Sequence, residues 1–135
     1  MENCYQLGFP SNPNSLILIA SEPGAGGLIG FCTRCNVFQC GVERGIISSP
    51  QCTGGAILRI CPPANISQVY VTSNVSLQGS KCNIGGILGS IILGSGKVYI
   101  SDSYSNAHVE AIPSSGGLFG LVSNIQIILK NGLLF

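Results

Sequence analysis

Four segments open on a pair of glycines and run on into apolar residues: GGLIGF at 26–31, GGAILRI at 54–60, GGILGSII at 85–92 and GGLFGLV at 116–122. Their first glycines, Gly26, Gly54, Gly85 and Gly116, stand 28, 31 and 31 residues apart. How these segments are read decides the fold. One reading is a repeated β-unit, as in β-prisms and solenoids. The other is the Gly-rich turn that precedes a strand in any β-protein. Little matches outside the glycines, apart from an echo of QVYVTS at 68–73 in KVYISD at 97–102. The turn reading is therefore carried forward. Gly30, Gly89 and Gly120, inside the runs, point to bulges or close backbone approach.

Outward from these segments the pattern has period two. Val98 and Ile100 alternate with Lys97, Tyr99 and Ser101; Ile125, Ile127 and Leu129 alternate with Gln126 and Lys130. Short apolar or alternating runs bounded by Gly, Pro, Ser or Asn read as strands. They fall at 16–19, 28–31, 56–60, 67–72, 87–93, 97–101, 108–112, 118–122 and 125–130. No window supports a long amphipathic helix. Short strands about ten residues apart favour an all-β sandwich or jelly-roll. Residues 16–135 form that single β domain. Residues 1–15, with Pro10, Pro13, three asparagines and Cys4, read as a short N-terminal arm.

Composition excludes several functions. Of 135 residues 45% are hydrophobic and only 8% charged, with 19 glycines and net charge +1. Disorder needs high charge and low hydrophobicity. A nucleic-acid binder needs a basic stripe, and six scattered cations do not make one. General acid–base catalysis needs positioned carboxylates or histidines, and the chain has five carboxylates and one histidine, His108. His108 lies in an alternating strand with Glu110 on the same face and reads as a surface residue. GSGK at 94–97 fails as a phosphate loop, because Ile91 and Val98 stand where a glycine and a Ser or Thr belong. GAGG at 24–27 lacks the third glycine of a dinucleotide fingerprint, since position 29 is Ile. NIS at 65–67 and NVS at 74–76 read as chance matches to the glycosylation pattern. Neither enzymatic activity nor a bound cofactor is expected. So little charge on so apolar a chain does, however, favour association.

Cys4, Cys32, Cys35, Cys40, Cys52, Cys61 and Cys82 are disulfide or cross-link candidates. An odd total suggests a thiol left over or a bond to another chain. Cys32 and Cys35 have the spacing of a zinc knuckle, with Cys40 and Cys52 as the available partners. A redox role for this CxxC lacks the surrounding βαβ pattern. The N-terminus shows no signal peptide, and no apolar stretch reaches the length of a membrane span.

The stretch QCGVERGIISSPQCTGGAILRICPP, residues 39–63, resembles the cysteine-rich core of bacterial spore outer-coat and exosporium proteins, through Gln39, Cys40, Cys52, Ala56, Leu58, Ile60 and Pro63. LILIASEPGAGGLIGF at 16–31 is similar to the strands that precede that core. Spore-appendage fibre subunits are a second similar group, with a cysteine-bearing arm, here Cys4, on a jelly-roll. The resemblance implies subunits that self-assemble and are locked by disulfides. It also implies synthesis in a mother-cell cytoplasm without a signal, and an oxidising destination at the spore surface.

The function expected is therefore a structural subunit that assembles with copies of itself into an extracellular or spore-surface layer or fibre, through β-edges and intersubunit disulfides, without nucleic acid or a membrane span. Cys4, in the arm, is the expected intersubunit bridge. A viral capsid or fibre subunit is one alternative; a small zinc-binding or redox β-domain is another.

Overall fold

The computed structural model describes residues 5–6, 17–19, 24–79, 83–92, 94–111, 115–121, 126–131 and 133–134. Strand β1 (Tyr5–Gln6) stands first in the chain. A first coil follows: β2 (Ile17–Ile19), β3 (Gly24–Gly26), β4 (Ile29–Thr33) and β5 (Asn36–Val42). The second holds β6 (Gly45–Ser49), β7 (Cys52–Gly54), β8 (Ile57–Cys61) and β9 (Ala64–Val71). The third holds β10 (Val75–Gly79), β11 (Ile84–Gly85), β12 (Leu88–Ile91), β13 (Lys97–Ser101) and β14 (Tyr104–Ser105). The last holds β15 (His108–Ala111), β16 (Ser115–Gly116), β17 (Phe119–Leu121), β18 (Gln126–Lys130) and β19 (Leu133–Leu134).

Every pairing is parallel, and each strand pairs with its counterpart one coil away. The ladders run β2-β6-β10-β15, β3-β7-β11-β16, β4-β8-β12-β17 and β1-β5-β9-β13-β18, with β14 bridging β9 and β19 in the last of these. This is a parallel β-solenoid, whose four stacked coils advance about three turns from the first rung of a ladder to its last. It overturns the expectation of a β-sandwich or jelly-roll. Those folds join neighbouring strands into antiparallel hairpins and Greek keys. Here no strand pairs with its neighbour in sequence. The glycine pairs are therefore a true repeat. Gly26 stands against Gly54, Gly54 against Gly85, and Gly85 against Gly116.

That ladder has a steric cause. Stacked rungs sit about 4.8 Å apart, and at these corners the backbone of one coil presses on the next. A Cβ on Gly27 would collide with the Gly55 carbonyl oxygen, one on Gly55 with that of Gly86, and one on Gly86 with that of Gly117. None of these glycines has a left-handed φ, so close approach alone selects them. Close approach also explains Gly89, whose Cβ would lie 2.8 Å from the Leu58 oxygen, and Gly120; Gly30 faces open space.

Inward side chains form columns along the axis. Ile57 and Leu88 stack in register and are fully buried. Val37, Ile66 and Ile100 form another column, each 1% exposed. In the β5–β9 ladder the alternation is broken. Gln39, Gln68, Asp102 and Asn131 occupy matching positions, and all have left-handed φ of 50–54°. Each inserts one residue before the strand turns inward again. Ile66 and Val69 are both buried, three residues apart, with Val71 following in the new phase. Strand β1 pairs with the end of β5, Tyr5 opposite Gly41; the rest of the expected arm, and Cys4 with it, lies outside the described residues.

Candidate functional site

The two ends of the stack differ from its middle. The column Val37–Ile66–Ile100 continues in register to Leu129 on β18. The first three are each 1% exposed; Leu129 is 47% exposed. Ile57 and Leu88 are likewise fully buried, whereas Ile29 below and Phe119 above them are only partly so. Among the described residues Leu129, Ile29 and Phe119 each have a stacking neighbour on one side only. Strands β15 to β18 also present backbone groups of a parallel ladder that no further coil of the described residues engages. Exposed strand edges of this kind are templates for another chain. Phe31, in the first coil, is 59% exposed.

The cysteines are scattered over the coils. Cys32 and Cys35 form a disulfide across the β4–β5 corner, and both are partly buried against the core. Cys40 is fully buried on β5, and its Sγ donates to the Phe38 carbonyl at 3.2 Å. Cys52 is buried on β7, is disulfide-bonded, and accepts from Arg59 at 3.8 Å. Cys61 ends β8 opposite Thr33 and is half-buried. Cys4 and Cys82 lie outside the described residues. The proposed zinc set Cys32, Cys35, Cys40 and Cys52 is not assembled: among the described residues no three His, Cys, Asp or Glu side chains are grouped to hold a metal.

Two shallow grooves flank the β5–β9 ladder. One, of about 340 Å³, is lined by Gln39, Gln68 and Asp102 of the left-handed column together with Tyr70 and Tyr104. The two rings stack with centroids 5.6 Å apart, and Tyr70 lies on the face of Gly41, where a side chain would strike its ring. The Tyr70 hydroxyl donates to Glu43 at 2.7 Å, and the Asn131 amide donates to Asp102 at 2.9 Å. The second of these bonds ties the last two members of the left-handed column together. The second groove, of about 250 Å³, runs beside the disulfide and includes Arg34, Cys35, Asn65 and Tyr99. Neither groove is legible along the chain, because each is assembled from residues about one coil apart.

His108 and Glu110 share a face as the alternation predicts. Their side chains meet at 3.3 Å and are largely exposed, and Glu110 also accepts from Gln78 at 3.2 Å. Residues 94–96 form the corner between β12 and β13, with Gly96 at φ +119°. GAG at 24–26 is a strand rather than a turn. No helix among the described residues is long and apolar enough to cross a membrane. No known protein family, curated protein or solved structure is measurably similar to the chain.

Proposed function

We propose that the chain is a structural subunit that builds an extracellular or spore-surface fibre by stacking coil on coil with copies of itself, the contacts then being fixed by disulfides. The observation that carries this reading is the column Val37–Ile66–Ile100–Leu129, closed at 1% exposure through three coils and open at 47% in the last. The first-coil end of a second copy, with β1 against β18 and β2 to β4 against β15 to β17, covers Leu129 and Phe119. The two ends are unlike surfaces, so the contact is heterologous and repeats without closing, which gives a filament. Gly117 supports the same arrangement. Gly27, Gly55 and Gly86 are required by the coil that follows each of them. Gly117 keeps the residue in the last coil, where a second copy supplies the following one. Net charge +1 puts little repulsion in the way. The extracellular or spore-surface location is carried over from the likeness expected of residues 39–63.

Leu129→Lys tests this. Half of the leucine is already buried within its own chain, so the monomer keeps its fold. At the contact a lysine must be desolvated without a partner, at about 3 kcal/mol or more. The concentration needed for polymerisation rises about a hundredfold. Light scattering and electron microscopy read the outcome. A wild-type chain that remains a 14.0 kDa monomer at high concentration, or a Leu129→Lys chain that polymerises like wild type, refutes the reading.

A further inference from the structure

We infer that the Cys32–Cys35 disulfide is an exchange site, at which a cysteine thiolate from a second copy of the chain converts an intrachain bond into an intersubunit one. The identity of the partner rests on the stacking reading above; the chemistry at the sulfur does not.

Three observations converge. The bond closes the β4–β5 corner of the first coil, at an end of the stack, and both cysteines are only partly buried. Exchange requires a thiolate to reach a disulfide sulfur, so accessible bonds are the labile ones. Second, a groove of about 250 Å³ leads to this corner, with Cys35 and Arg34 in its wall and the half-exposed ring of Tyr99 on its other side. Arg34 is exposed and lines the same groove, adding positive charge to the wall that holds Cys35. No carboxylate is among the described residues of that wall to oppose it. Third, the chain has seven cysteines. Pairing within one copy therefore leaves at least one cysteine over, and a second copy can supply it as the attacking thiolate.

The step balances without an oxidant. The incoming thiolate forms a bond to Sγ of Cys35. The Cys32–Cys35 bond breaks, and its electron pair leaves on Cys32 as a thiolate, which takes a proton from water. One S–S bond is made and one is lost. A filament end is thereby locked covalently using the bond that the first coil already holds.

The oxidised chain is incubated without oxygen, with and without N-ethylmaleimide, and resolved by non-reducing electrophoresis and peptide mapping. The expected result is intersubunit bridges that contain Cys35, abolished by the thiol block. The double variant Cys32→Ser/Cys35→Ser, checked for its β-fold by circular dichroism, cross-links at least tenfold more slowly. Arg34→Glu slows the step about threefold, by raising the basicity of the leaving sulfur. In a second arm the Leu129→Lys chain is exposed to reduced glutathione, which forms a mixed disulfide at Cys35 whether or not copies stack. Bridges that never include Cys32 or Cys35, a double variant that cross-links at the wild-type rate, or a disulfide untouched by glutathione overturns the inference. Glutathione adducts without any polymer overturn the stacking reading, and with it the second copy as partner.

Discussion

Gly55→Ala is the most direct test of the stacked-coil architecture. The added methyl group would fall on the Gly86 carbonyl, with Val71 Cγ2 at 3.0 Å on another side. Neither can move alone. The Gly86 oxygen belongs to a backbone held by the rungs around it, and Val71 is fully buried. The second and third coils must therefore separate at this corner. That separation stretches the bonds from Gly55 N–H to Gly85 O at 3.0 Å, Ala56 N–H to Ile87 O at 3.0 Å, and Ile57 N–H to Ile87 O at 2.8 Å. Overpacking a closed site costs about 1–3 kcal/mol, and each weakened bond adds about 0.5–1.5 kcal/mol. The expected loss is about 3–5 kcal/mol, a large part of the 5–15 kcal/mol typical of a domain. Thermal unfolding followed by circular dichroism should show a midpoint lower by roughly 10–20 °C. Gly30→Ala is the control: its methyl group meets nothing within 4 Å, and stability should stay within about 1 kcal/mol of wild type. If Gly55→Ala costs less than about 1 kcal/mol, or if Gly30→Ala is equally damaging, close approach between coils is not what selects these glycines.

Tyr70→Ala should cost about 2–4 kcal/mol in urea unfolding, because it removes the stack on Tyr104 and the cover over Gly41. Tyr70→Phe keeps the ring and should lose only the hydroxyl bond to Glu43, about 1 kcal/mol. Ser103→Ala should cost about 1–3 kcal/mol by the same assay. Ser103 is 1% exposed, and its Oγ accepts from the Val69 N–H at 3.1 Å while donating to the Ser101 carbonyl at 2.8 Å. The alanine leaves a buried donor unmet; an effect below about 0.5 kcal/mol would contradict that account.

Much of the secondary structure was legible residue by residue. All nine runs read as strands overlap one, because alternation at Lys97–Ser101 or a short apolar run such as that around Ile57–Ile60 is a local property of the chain. Strands β5, β6 and β10 were missed, as were the two- and three-residue strands β1, β3, β7, β11, β14, β16 and β19. Asn36–Val42 hides its alternation behind the left-handed Gln39, which shifts the phase by one residue. The same shift at Gln68 is why only the second half of β9 was read as a strand. The cysteine pair Cys32–Cys35 was visible as a spacing, but the spacing did not choose between a metal and a disulfide.

By itself the sequence determined that the chain is all-β, apolar, weakly charged and rich in cysteine, since each of these follows from composition or from period-two alternation. It also held the 28- and 31-residue spacing of the glycine pairs without deciding its meaning. Only the tertiary structure decided that strands pair with partners one coil away. A parallel coil asks very little of the sequence. It needs small residues where backbones touch, at Gly27, Gly55 and Gly86, and apolar ones where columns point inward, as at Val37, Ile66 and Ile100. Any apolar residue of suitable size satisfies the second demand, so the repeat survives in the glycines and fades elsewhere. The open end at Leu129 was equally hidden, because a leucine in an alternating strand reads the same whether the next rung is present or absent.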